Sequence, residues 1–258
     1  MITAGIDVGS TTTKAVLLGE TGIYSYSVQS TGIDIPEVAE RVLRESLAKV
    51  DLSFEDIDGI VSTGYGRISI PFSTKTITEI TCNAAGVHHV FPSATLVVDI
   101  GGQDSKAIKM DKEGRVLQFA MNDKCAAGTG KFLEVAAQTL RVDVEELGKI
   151  SLESKNKITI SNTCTVFAQS EIVSLIARKT EKEDIAAALH ESIVSRVYGL
   201  INSVYPEPKA EMVLTGGVAR NIAIVNLLER IMGRKVLVPE NPQIITALGA
   251  AILARKIN

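Results

Sequence analysis

Two cysteine segments carry the least ordinary chemistry of this sequence. Cys125 stands in Asn122-Asp123-Lys124-Cys125-Ala126-Ala127-Gly128-Thr129-Gly130-Lys131-Phe132, and Cys164 in Thr163-Cys164-Thr165-Val166-Phe167-Ala168. Each precedes a stretch whose apolar residues recur at helical spacing. Phe132, Leu133, Val135, Ala136 and Leu140 follow the first; Phe167, Ile172, Val173, Leu175 and Ile176 follow the second. A thiolate beside a helix N-terminus meets unpaired amides and the positive end of the macrodipole, which favours the anion that ligates metal. The polar, glycine-rich flanks of Cys125 set it apart from a cysteine that only fills space. Two placed thiolates are half of a four-thiolate site. Cys82, in Ile80-Thr81-Cys82-Asn83-Ala84-Ala85, has no matching segment and reads as structural.

A second chemistry lies in three glycine loops. Asp7-Val8-Gly9-Ser10-Thr11-Thr12-Thr13-Lys14 and Asp99-Ile100-Gly101-Gly102-Gln103 each end an apolar run in an acid and then glycine, and Thr215-Gly216-Gly217 ends another. Glycine lets phosphate approach backbone amides. Hydroxyls at Ser10, Thr11, Thr12 and Thr13 and the ammonium of Lys14 suit the same anion. Asp7 and Asp99 repel phosphate directly and make sense through Mg²⁺, which takes one or two carboxylates plus phosphate oxygens. One of the two also suits the orienting of an attacking water, since phosphoryl transfer rests on positioning and charge stabilisation. Neither Gly-x-Gly-x-x-Gly after the first strand nor Gly-x₄-Gly-Lys-Ser/Thr is present, which removes the dinucleotide and P-loop readings.

The elements that must position these residues follow from patterning. Strands are expected over 2–7, 13–18 and 22–28, a helix from Pro36 with Val38, Ala39, Val42, Leu43, Leu47 and Val50 on one face, a strand over 57–62 and a helix over 79–88. At Leu96 the pattern begins again. Asp7, Gly9, Lys14 and Ala15 fall on Asp99, Gly101, Lys106 and Ala107, with matching hydrophobic character between them, so one unit is built twice. A long helix over 183–205, strands at 212–215 and 235–239, and a helix over 244–254 rich in small residues complete the chain. Small residues there allow close approach of another backbone or of a flat ligand. Two regions are expected, 1–95 with 238–258 and 96–237, the second holding the cysteine segments.

Composition narrows the classes. The chain has 258 residues, 45% hydrophobic and 22% charged, with a formal net charge of −3 and no Trp. That suffices for a full core and offers neither the basic face nor the stacking aromatics of a nucleic-acid binder. No apolar run approaches the ~20 residues that span a bilayer. Met1-Ile2-Thr3-Ala4-Gly5-Ile6-Asp7 lacks a basic stretch and reaches an acid at once, so no signal peptide is expected there. Three irregularly spaced cysteines are no disulfide framework, and a reduced, cytoplasmic setting is expected.

The order Asp7-x-Gly-Ser-Thr, Asp99-x-Gly-Gly-Gln, Thr215-Gly-Gly-Val-Ala resembles the phosphate-1, phosphate-2 and adenosine motifs of the actin, sugar kinase and Hsp70 ATPase superfamily. The two cysteine segments, with Met121 before the first and Gln169-Ser170-Glu171 after the second, are similar to those of the activators of 2-hydroxyacyl-CoA dehydratases and of the related ATPase subunits of benzoyl-CoA reductase. The resemblance spans essentially the whole chain. It implies an α/β fold, a duplicated ribonuclease H-like (actin-like ATPase) architecture with two lobes around a nucleotide cleft. It implies a homodimer in which Cys125 and Cys164 of both subunits hold one bridging 4Fe–4S cluster. ATP hydrolysis with Mg²⁺ would then drive a low-potential electron from ferredoxin or flavodoxin to the dehydratase, or in the alternative to a benzoyl-CoA-type reductase. By position, Ser10, Thr11, Thr12, Thr13 and Lys14 would line the β- and γ-phosphates, Gly101, Gly102 and Gln103 the second loop, Gly216 and Gly217 the adenosine, Glu134 the ribose, and Gln243 a further nucleotide contact. His88, His89 and His190 are expected in packing or on the surface, and Arg67, after Gly64-Tyr65-Gly66, has no assigned role. A small-molecule kinase of the same fold, or a non-catalytic nucleotide sensor, would fit the loops but leave the paired cysteines without a purpose.

Overall fold

A computed structural model describes residues 1–160, 164–205 and 211–257. The chain forms two compact units, one from 1–97, 110–117 and 239–258, the other from 98–109 and 118–238.

The first sheet contains β1 (Thr3–Val8), β2 (Thr12–Gly19), β3 (Gly22–Ser30), β4 (Gly59–Gly64) and β5 (Lys75–Thr76) in the order β3-β2-β1-β4-β5. β1 is fully buried, pairing antiparallel with β2 and parallel with β4. That register puts Asp7 beside both Lys14 and Thr63. The second sheet contains β6 (Leu96–Ile100), β7 (Ser105–Met110), β8 (Val116–Asn122), β9 (Met212–Thr215) and β10 (Val236–Leu237), ordered β10-β9-β6-β7-β8. Traversed from its other end, this is the first order again, with β6 in the place of β1. The duplication expected from Asp7 and Asp99 is therefore a duplication of whole sheets, the ribonuclease H-like fold used twice. The short β5 and the edge strand β8, with Leu117 and Phe119 exposed, lack the alternation that would have announced them.

Helix α1 (Ile35–Ala48) begins as its sequence dictates. Asp34 caps it by accepting from Glu37 N at 3.1 Å, and Pro36 takes the first turn. Its apolar stripe, Val42, Leu43 and Leu47, packs on Ala4, Ile6, Val8, Ala15 and Leu17. α2 (Glu79–Val90) and the C-terminal α8 (Ile245–Ala254) pack closely on each other. A Cβ on Gly249 would run into the carbonyl oxygen of Cys82, and one on Gly5 into that of Ala247. The small residues of α8 thus serve backbone-to-backbone contact with β1 and α2. Cys82 is fully buried there, and burial pushes its thiol up to about 12, as a structural cysteine requires.

The second unit adds α3 (Gly130–Leu140), α4 (Leu147–Ser151), α5 (Thr165–Ala177), α6 (Lys182–Val204) and α7 (Ile222–Met232). α6 buries Ile185, Leu189, Ile193, Val197 and Ile201, as its periodicity predicts. α5 does not follow its pattern. Only Ala168 and Ile172 are buried, while Val166, Phe167, Val173 and Ile176 lie open.

Candidate functional site

At the first loop Gly9 N donates to Thr12 O at 3.1 Å, which turns the chain from β1 straight into β2. Asp7 is 6% exposed. Its Oδ2 accepts from Lys14 Nζ at 3.0 Å, and the same ammonium donates to Thr12 O at 3.2 Å. Thr31 Oγ1 donates to Gly9 O at 2.7 Å, and Thr13 Oγ1 lies 3.1 Å from Thr31 Oγ1. A hydroxyl has one proton, so Thr13 is the donor of that pair and its proton is spent inside the protein. Thr13 and Lys14 therefore brace the loop from within, whereas Ser10 and Thr11 are exposed at its tip and Thr12 half so.

The second loop repeats this construction with one change. Gly101 N donates to Asp104 O at 2.9 Å, the same turn as Gly9 to Thr12. Lys106, in the place of Lys14, is 2.7 Å from Asp104 Oδ1 and 3.3 Å from Asp99 Oδ2. Thr215 Oγ1 donates to Asp99 Oδ1 at 3.0 Å. Asp104, Lys106 and Thr215 were absent from the expected set, although the Lys14/Lys106 match was readable. Gly101 and Gly102 are half-buried and Gln103 is exposed.

Each acid also faces a glycine at the end of a neighbouring strand. Gly64 and Gly216 both have φ of +85°, and a Cβ would stand 2.6 Å from Asp7 Oδ1 in the first case and 2.8 Å from Asp99 Oδ1 in the second. The dipeptides Thr63-Gly64 and Thr215-Gly216 are thus a further part of the repeat, visible in the sequence and not paired there. Gly217 is exposed and opens a 3-10 turn to Arg220. Arg67 gains a role here. Its Nη1 donates to Gly64 O at 2.9 Å while Gly66 N donates to Val8 O at 3.1 Å, so this segment clamps the end of β1.

The Cys125 segment meets the second loop directly. Gly130 N donates to Gly101 O at 2.9 Å and Lys131 N to Gly102 O at 2.7 Å, so the first free amides of α3 are taken by the glycine loop. Before them, Thr129 Oγ1 donates to Ala126 O at 2.6 Å, Gly128 takes φ of +92°, and Asn122 Nδ2 donates to Cys125 O at 2.9 Å. Cys125 is half-buried and lies in this turn, not at the helix end itself. Cys164 is half-buried and is the N-cap residue of α5, its carbonyl accepting from Ala168 N at 2.9 Å. Thr163 lies outside the described residues. α3 and α5 pack together, with Cys164 capping α5 and Cys125 in the turn that leads into α3. Their donor type and half-burial fit iron–sulfur ligation.

Glu134, one turn into α3, pairs with Lys131 at 3.0 Å. Gln243 is half-buried in the 3-10 turn Pro242–Ile244 that leads into α8. His190 is fully buried and His89 exposed.

A 2-hydroxyisocaproyl-CoA dehydratase activator of Clostridioides difficile is 45% identical over 257 residues, spanning 98% of this chain and 95% of that protein. A solved structure of such an activator with bound ADPNP superposes with a TM-score of 0.93 at 43% identity, over 100% of this chain and 95% of the other. The (R)-2-hydroxyglutaryl-CoA dehydratase activating ATPase of Acidaminococcus fermentans is 41% identical over 256 residues, 98% of this chain and 97% of its own. A ROK family glucokinase from Streptomyces griseus, at 14% identity, covers 99% of this chain and 100% of its own with a TM-score of 0.58, a likeness of fold alone. The family model described as BadF/BadG/BcrA/BcrD ATPase matches residues 4–254. With duplicated acid–glycine loops and helix-entry cysteines in the positions described, the chain belongs to the BadF/BadG/BcrA/BcrD ATPase family.

Proposed function

We propose that this protein hydrolyses ATP to activate a 2-hydroxyacyl-CoA dehydratase by delivering a single low-potential electron. The observation that carries the proposal is the pair of hydrogen bonds from Gly130 N and Lys131 N to Gly101 O and Gly102 O, which joins a phosphate-type loop to the segment of Cys125 within one unit. A nucleotide-dependent shift of that loop moves the entry of α3, and with it the cysteine.

In this reading Ser10, Thr11 and Thr12 meet the β- and γ-phosphates, braced by Thr13 and Lys14, and Gly101, Gly102 and Gln103 form the second phosphate loop. Gly216 and Gly217 lie toward the adenosine, with Glu134 and Gln243 as its further contacts. Mg²⁺ would be reached through Asp7 or Asp99. Cys125 and Cys164 would hold a 4Fe–4S cluster with the same two residues of a second subunit, since four thiolates are needed and a two-fold axis doubles two. The cluster, when bound, supplies the one-electron carrier. The donor is a reduced ferredoxin or flavodoxin. A benzoyl-CoA-type reductase as the acceptor is the second reading, favoured by the family to which the chain belongs.

Two measurements decide. Asp7→Asn and Asp99→Asn should each abolish ATP-dependent activation of the dehydratase; activation surviving both changes would disprove the coupling. Iron and sulfide should fall to background in Cys125→Ser, and full occupancy in that variant would remove the cluster.

A further inference from the structure

Two buried donors beside the cysteines find no acceptor among the described residues. Thr165 follows Cys164 and opens α5, and its Oγ1 is one of them. Comparable hydroxyls nearby are used: Ser170 and Ser174 donate back to Val166 O and Ser170 O within α5, and Thr129, just ahead of α3, donates to Ala126 O at 2.6 Å. Thr165 holds the first helical position, where no earlier turn of α5 offers it a carbonyl. The other donor is Nε of Arg196, on α6. A Cβ on Gly128 would stand 3.3 Å from both Cβ and Cδ of Arg196, so the stem of this side chain covers the turn that holds Cys125. Arg41, Arg44, Arg115 and Arg230, by contrast, each meet a carboxylate. α6 packs on both α3 and α5, so the two donors share one three-helix cluster with the cysteines.

A buried donor without an acceptor has given up its bond to water and gained none, so a fold keeps one where a further group completes it. The sulfur atoms of an iron–sulfur cluster accept hydrogen bonds, and such bonds raise its potential by favouring the more negative, reduced state. We infer that Thr165 Oγ1 and Arg196 Nε are hydrogen-bond donors to the sulfur atoms of a 4Fe–4S cluster held by Cys125 and Cys164, and that they keep its potential within reach of a ferredoxin-type reductant. The inference rests on the cluster reading of those two cysteines.

The test uses the full-length protein loaded with iron and sulfide without oxygen or nucleotide, its cluster titrated with titanium(III) citrate and followed by electron paramagnetic resonance. Thr165→Val keeps the shape of the side chain and loses the hydroxyl, and Arg196→Lys keeps a charged stem but has no Nε–H. At a fixed poise each should lower the ratio of reduced to oxidised cluster by about three- to tenfold, a tenfold fall being 59 mV for one electron. Thr165→Ser, which restores the hydroxyl, should match the unaltered protein. In the iron-free chain Thr165→Val should leave the thermal midpoint unchanged or raise it, because the hydroxyl it removes has no partner there. Cluster lost from Thr165→Val and kept by Thr165→Ser supports the inference as the shift does, since retention then follows the hydroxyl. An unchanged ratio in Thr165→Val or Arg196→Lys overturns the role of that residue. An equal fall or an equal loss of cluster in Thr165→Ser, or a lower midpoint for iron-free Thr165→Val, overturns it for Thr165. An unaltered protein that takes up neither iron nor sulfide would instead refute the cluster reading beneath it.

Discussion

Gly64 and Gly216 hold the chain where any side chain would strike a carboxylate and where a positive φ already disfavours one. Gly216→Ala should therefore cost about 1–3 kcal/mol in backbone strain alone, seen as a fall of about 2–4 °C in Tm for each kcal/mol. Hydrolysis should fall further than stability predicts, because the methyl displaces Asp99; scanning calorimetry beside a phosphate-release assay separates the two effects. The acids and glycines themselves were legible in the sequence, since Asp and Gly recur in register after apolar runs. The inward commitment of Thr13 and Lys14 was not. Whether a strand hydroxyl faces a ligand or the protein depends on Thr31, a partner from the far end of the next strand, and no local pattern reports it.

Among the elements, α6 and α7 are joined by a histidine that must stay neutral. His190 Nδ1 donates to Ala186 O at 2.6 Å, and Nε2 accepts from Asn221 Nδ2 at 2.9 Å, while Asn221 Oδ1 caps α7 by accepting from Ala223 N and Ile224 N. Burial holds the imidazole down at about 4, against 6.5 in the open chain. The unfolded chain thus takes up a proton that the folded one refuses. Stability is complete above pH 6.5 and falls as pH drops toward 4, by about 3 kcal/mol in all. Urea midpoints measured between pH 7 and pH 4 should show this slope, and His190→Gln should flatten it. The helix itself was readable from its apolar period; its histidine was expected only in packing or on the surface, because the donor it needs comes from an asparagine on another element. For α5 the period was equally clear and the burial was not, since a stripe of apolar residues does not say whether its partner belongs to the same chain.

For the whole molecule, that open stripe is where a second subunit is expected. Val166, Phe167, Val173 and Ile176 follow Cys164 along α5 and are 67, 68, 54 and 43% exposed. An apolar surface beside a half-complete ligand set suits an isologous contact, in which the same patch meets itself. Phe167→Glu should shift the protein from dimer to monomer by light scattering and lower its iron content in parallel; a dimer of undiminished iron content would place the contact elsewhere. The duplication was legible at this scale because two loops matched in register, whereas the exchange of 110–117 to the first unit had no sequence mark.

The seating of α8 against Gly5 and Cys82 has a consequence during synthesis. Residues of the second unit are all made by position 238, but the first unit lacks its C-terminal helix until 245–254 have left the ribosome. Domains usually fold in the order in which they emerge. Here the order is reversed: the half that begins the chain is the last to close, and until then β1 offers an open glycine surface to chaperones. Released chains truncated after residue 240 should resist protease across 118–238 while 1–97 is still cut.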